Sequence, residues 1–142
     1  MSIISPEFHR FIKNIETGVI VKVFLEFKNI GDLRQSAAFY FHRAVQNQHL
    51  AANFATSALI FSAAHPLNEK INFRGALTQE CLKQIDLICN SLSSASNLTL
   101  TKALGSFRFF GELFVVGFIT KQILKKYVDI LGANKSECSI SY

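Results

Sequence analysis

Histidine, cysteine and carboxylate are the side chains here that could carry chemistry, and their spacing limits what they can do. His42 and His49 stand seven residues apart, with no carboxylate at ligand spacing between them. A metal site wants ligands converging at i, i+3 or i+4, or across a close loop. Cys81, Cys89 and Cys138 are an odd number, widely spaced, and form no C-x-x-C pair. That pattern argues against a disulfide framework and a structural zinc site, and for a reducing compartment, cytosol or nucleus. Cys81 and Cys89 read as small core hydrophobes of one helix. No Ser–His–Asp order and no glycine-rich phosphate loop is discernible. The expectation is a chain without catalytic residues, metal ligands or cofactor.

Charge offers a second kind of chemistry. The net charge is +5 and the isoelectric point about 9.3, but the basic residues are scattered. Lys121, Lys125 and Lys126 lie on the polar side of the last helical stretch. With Arg43, Arg74 and Lys83 they are the candidate surface for RNA phosphate or an acidic partner. The plainer alternative is a solvated basic face, since no aromatic platform for stacking bases accompanies them. Arg108 and Glu112 are four apart and can pair on one helix face.

The elements that must position these residues read as helices. The chain has 142 residues, 49% hydrophobic and 18% charged, with 14 phenylalanines and no tryptophan. That suffices for one domain with a substantial core. Ser5-Pro6-Glu7 opens a first helix as N-cap, N1 proline and first-turn acid, with Phe8, Phe11, Ile12 and Ile15 on one face. Residues Gly18 to Phe27 are β-branched and partly alternating, so strand and short buried helix both remain open there.

From Asp32 the helical pattern is plain. Asp32 and Gln35 approximate a capping box before Leu33, Ala37, Tyr40, Phe41, Ala44 and Val45. A second helix carries Ala51, Phe54, Ala55, Ala58 and Phe61 and stops at His65-Pro66. A third, from Asn72, buries Phe73, Leu77, Cys81, Ile85 and Ile88 and fades into the serine-rich loop 91–97. A fourth, about Leu100 to Phe118, is expected to bury Leu104, Phe107, Gly111, Phe114 and Phe118. Gly105 and Gly111 inside it predict close approach of a neighbouring helix, since glycine there costs about 1 kcal/mol relative to alanine. Thr120 caps a fifth helix with Ile123, Leu124, Tyr127, Val128 and Leu131, and Gly132 ends it. The reading is one helical domain over 1–133 and a loose tail over 134–142. The most apolar stretch, Leu113 to Ile119, is too short to span a bilayer, and the first residues lack a signal-peptide pattern.

Four stretches, taken in order, resemble the middle domain of eukaryotic translation initiation factor 4G and its relatives. The run Leu104-Gly105-Ser106-Phe107-Arg108-Phe109-Phe110-Gly111-Glu112-Leu113-Phe114 is similar to the family's "LGNIRFIGELF". Asn72-Phe73-Arg74-Gly75-Ala76-Leu77, followed by Cys81-Leu82-Lys83-Gln84, is similar to "NFRKLLLNRCQKEF". Phe41-His42-Arg43-Ala44, ahead of Phe54-Ala55, is similar to "FEKA" and a later "YA". Ser5-Pro6-Glu7-Phe8 is similar to the opening "TPEKF".

The resemblance implies an all-α, armadillo-like HEAT-type stack of about three antiparallel hairpins, with Gly18–Phe27 helical. It implies a cytoplasmic, non-catalytic adaptor in translational control or messenger RNA turnover, docking a DEAD-box RNA helicase or another translation factor, and RNA. The sequence departs from the family in a short serine-rich loop where a long charged insert is common, and in His42 where the family has an acid. So few hairpins leave an apolar end exposed, which makes homo-oligomerisation the rival expectation.

Overall fold

In a computed structural model the chain is described over residues 4–20, 22, 23, 25, 27, 29–64, 72–91, 97–126, 128 and 129. All regular structure among these residues is helical: α1 (Pro6–Glu16), α2 (Ile30–Gln46), a 3-10 turn (Gln48–Leu50), α3 (Ala51–Ala64), α4 (Phe73–Ser91) and α5 (Asn97–Val115). A last segment, α6, is helical over residues 121–126. The expected stop at His65-Pro66, the 92–96 part of the serine-rich loop, Tyr127, Leu131, Gly132, Cys138 and the tail lie outside the described residues, as does the side chain of Cys89. No helix among the described residues is long and apolar enough to cross a membrane.

The helix starts follow local chemistry. The Ser5 hydroxyl accepts from the Phe8 N–H at 3.2 Å ahead of Pro6 at the first helical position. α2 begins two residues before the Asp32 expected from the capping box, because Asn29 is the cap: its Oδ1 accepts from Asp32 N–H at 2.9 Å. Asn72 caps α4 by accepting from Gly75 N–H at 2.7 Å. Thr120 Oγ1 accepts from Ile123 N–H at 3.3 Å and starts α6.

α2 packs chiefly on α4 and α3 on α5, while α5 also meets α2 and α4; α1 lies across the core they form. The core is aromatic. Phe11 stacks on Phe61 with ring centroids 4.9 Å apart, Phe73 meets Phe61 edge-on at 4.9 Å, and Tyr40 meets Phe54 edge-on at 5.3 Å. Such pairs add about 0.5–1.5 kcal/mol each beyond the area they bury. Tyr40 is fully buried and donates its hydroxyl to the Phe54 carbonyl at 2.5 Å, which spares the core an unpaired polar atom. Burial raises the Tyr40 pKa well above the ordinary phenol value. The inward faces expected of α1 to α4 are the ones buried.

Two expectations are overturned. The described residues between Gly18 and Phe27 form neither helix nor strand. Gly18 at φ +85° ends α1, and the local alternation then puts Val23, Leu25 and Phe27 against the core, with no strand among the described residues. Phe27 reaches Phe8 and Phe61 at 6.2 Å each.

The second concerns α5. Its inward face is Ala103, Ser106, Phe109, Phe110 and Leu113, whereas Leu104, Gly111 and Phe114 face outward and Phe107 is half-buried. The helix is apolar nearly all round, so periodicity alone does not choose between faces separated by about a third of a turn. It also stops at Val115 rather than Phe118. Gly117 adopts φ +82° and Phe118 N–H returns to the Leu113 carbonyl at 2.9 Å, a left-handed glycine terminator.

Candidate functional site

Ile30, Leu33, Arg34, Gln35 and Ala38 of α2 face Asn72, Gly75, Ala76, Gln79, Glu80 and Lys83 of the α4 side across an open groove of about 650 Å³. The groove exists because the facing positions are small. Ala37 and Phe41 beneath it hold α2 in the core together with Leu77 and Cys81 of α4. Above that layer Ala38, Gly75 and Ala76 leave space. Leu33 and Ala76 supply apolar surface, and Arg34, Gln35, Gln79 and Lys83 an exposed polar rim. The carboxylate of Glu80 is held by Gln84, whose Nε2 donates to it at 2.7 Å.

His42 stands where α2 meets α4 and α5. Burial, then the charge of Lys102, hold its imidazole pKa below the usual histidine range; Lys83 adds to this and Glu80 opposes it. Lys83, Lys102 and His42 therefore share one electrostatic neighbourhood. Arg34, Lys102 and His42 were not legible as companions of Lys83, because they are brought near it from two other helices.

The sequence-nominated cations do not form one surface. Arg43 Nη2 donates to both carboxylate oxygens of Glu16, at 2.6 and 2.5 Å, tying α2 to α1. Asn47 Nδ2 joins the same carboxylate at 2.8 Å, and the Arg43 guanidinium lies 5.9 Å from the Phe39 ring centroid. Arg74 is likewise engaged: Nε donates to Phe118 O at 2.8 Å and Nη2 to Gly117 O at 2.7 Å. Lys83, Lys121, Lys125 and Lys126 remain exposed.

Phe73, Leu77 and Cys81 are core residues, as expected. Burial raises the Cys81 thiol pKa far above the usual range and keeps it a neutral packing group. On α5, Gly105 is a close-contact glycine: an added Cβ would stand 3.0 Å from Val45 Cγ1 and from the Val45 carbonyl oxygen. Gly111 is the reverse, with nothing within 4 Å of its would-be Cβ. Leu113 is buried, Leu104 is 66% exposed and Phe114 40%. Arg108 is exposed and Glu112 half-buried, and the i, i+4 ion pair expected between them does not form.

No group of three or more His, Cys, Asp and Glu that could hold a metal occurs among the described residues. What the groove offers is an apolar floor, hydrogen-bonding amides and a net positive rim, which are the means of holding another molecule. Compared with known proteins, the chain matches no protein-family model, no curated protein and no solved structure.

Proposed function

We propose that the chain is a non-catalytic adaptor of translational control or messenger RNA turnover, holding a DEAD-box RNA helicase or another translation factor, with RNA as a further partner. One observation carries the reading. The α4 wall of the groove, from Asn72 through Lys83, is built by the stretch that resembles the translation-factor domain. The all-helical packing, α2 on α4 and α3 on α5, supports an all-α scaffold of this general kind. Such a protein works in the cytoplasm by tethering, raising the effective concentration of a bound partner without chemistry. Partner side chains enter the groove, and Lys83, Lys121, Lys125 and Lys126 are the cations left to meet RNA phosphate, Arg43 and Arg74 being engaged within the chain.

The test is a pull-down from cytosolic extract with and without RNase, followed by binding of the purified helicase recovered. Arg34→Glu/Lys83→Glu alters the groove rim and Lys121→Glu/Lys125→Glu the α6 surface. Recovery of a DEAD-box helicase that survives RNase and is lost in the groove variant is expected. Recovery of no helicase, translation factor or RNA by the wild-type chain refutes the reading.

A further inference from the structure

The α2–α4 groove has an apolar floor and a cation on each wall. Leu33 and Ala76 supply the floor, Ala38 leaves it open, and Ile30, 43% exposed, adds a large apolar side chain at the start of α2. Arg34 stands on the α2 wall and Lys83 on the α4 wall. Both are exposed, and neither makes an ion pair among the described residues. Glu80 is the one acid among the described lining residues, and its carboxylate is already engaged by Gln84. Lys102 of α5 adds to the positive field, since its charge reaches His42, one turn beyond Ala38.

The dimensions suit a short helix. From Asn72 to Lys83 the α4 wall runs for about 16 Å, and from Ile30 to Ala38 the α2 wall for about 12 Å, at 1.5 Å per helical residue. An amphipathic helix of two to three turns laid along such a groove buries side chains at i, i+3 or i+4, and i+7. Its flanks then face the two walls. Carboxylates on those flanks meet Arg34 on one side and Lys83 on the other, whereas basic flanks would be repelled by both. A nucleic acid fits less well: no aromatic ring lines the groove among the described residues to stack a base, and the apolar floor gives a phosphate nothing to bond.

We infer that the groove holds an acidic amphipathic helix of a partner protein, its apolar stripe on Leu33 and Ala76 and its flanking carboxylates on Arg34 and Lys83. This rests on the proposed function in taking the groove as the docking site, and adds the chemistry of the segment that enters it. So short a helix is marginal in water, and ordering it on binding costs affinity, so an isolated peptide is expected to bind with a dissociation constant of about 10–100 μM.

Selection against the full chain from a randomised phage-displayed library of peptides about 16 residues long, enough for three turns with flanks, tests it. Peptides retained by the wild-type chain but not by Arg34→Glu/Lys83→Glu are expected to carry apolar residues at helical spacing with glutamate or aspartate beside them. The strongest of these, made synthetically, loses at least tenfold in affinity for Arg34→Glu/Lys83→Glu. It loses several-fold for Ala38→Leu, which narrows the groove without changing its charge. The same peptide with lysine in place of its acids prefers the double variant to the wild type, a reversal that damage to the fold cannot produce.

Selected peptides without enrichment in acids, or none that depends on Arg34 and Lys83, overturn the inference. Absence of acidic peptides together with binding of a labelled oligouridylate that is lost in the same variant assigns the groove to RNA, and equally overturns it. The two readings fail separately. Acidic peptides in the groove, with no helicase, translation factor or RNA recovered from extract, uphold this inference and refute the proposed function. A helicase recovered through the groove, with no acidic peptide selected, does the reverse.

Discussion

Arg74, in the first turn of α4, lays its guanidinium 5.4 Å from the centroid of the Phe118 ring and donates Nε–H to the carbonyl of the same residue at 2.8 Å. With the second bond to Gly117 O at 2.7 Å, one side chain satisfies both carbonyls of the turn where α5 ends. The arginine of the "NFR" stretch thereby joins two segments 43 and 44 residues apart in sequence.

Arg74→Ala is expected to destabilise the fold by about 2 kcal/mol, the scale of charge-assisted hydrogen bonds to carbonyl groups. Arg74→Lys recovers only part of the loss, since an ammonium cannot present the planar fork that serves two carbonyls. Urea denaturation of the three proteins checks this; a lysine variant as stable as wild type would refute the bidentate role.

Alanine at the two α5 glycines is expected to act in opposite directions. In Gly105→Ala the new methyl meets the Val45 carbonyl oxygen at 3.0 Å. The clash with backbone outweighs the helix-propensity gain of about 1 kcal/mol, and the variant melts lower. In Gly111→Ala, with open space around the new methyl, the dilute chain gains about 0.5–1 kcal/mol. Thermal melts at low protein concentration separate the two.

Ser57 is 1% exposed, and its hydroxyl oxygen has no hydrogen-bond partner among the described residues. A buried hydroxyl left unpaired costs its desolvation, on the order of 1–3 kcal/mol. Ser57→Ala keeps the size of the side chain within one atom and is expected to stabilise the fold by up to about 1 kcal/mol. A loss of stability, measured as a lower denaturant midpoint at unchanged slope, would show that the hydroxyl is paired in solution.

The His42 pKa is lowered in the folded state by burial and by Lys102. Below the unfolded-state value of 6.5 the unfolded chain takes up a proton that the folded chain resists, so unfolding binds protons and stability falls as the pH drops. The contribution is fully present above pH 6.5 and is lost as the pH falls through the folded value. Denaturation at pH 7 and pH 5 should show a larger drop for the wild-type chain than for His42→Gln. Equal drops would place the acid sensitivity elsewhere.

Most of the helices, the caps at Ser5 and Thr120, and the inward faces of α1 to α4 were legible in the sequence, whereas the Asn29 cap of α2 was not. Their signals are local: Ser5 before Pro6, Asn72 ahead of Phe73, and apolar residues recurring at helical spacing beside polar ones. Three matters were decided only by the tertiary structure. The Gly18–Phe27 stretch has the composition of a strand or a buried helix. Its described residues take neither form: Gly18 ends α1 with a left-handed turn, Phe27 reaches the ring cluster, and there is no strand among the described residues. α5 is apolar on two faces, and its inward face was chosen by the close approach of Gly105 to Val45, a contact made 60 residues away in sequence. Arg43 and Arg74 look like any surface cations, until long-range packing brings Glu16 and the Gly117–Phe118 carbonyls to them. Local propensity settles where a helix forms; which of its faces is buried, and which charges stay free, depends on partners from distant sequence that no local pattern encodes.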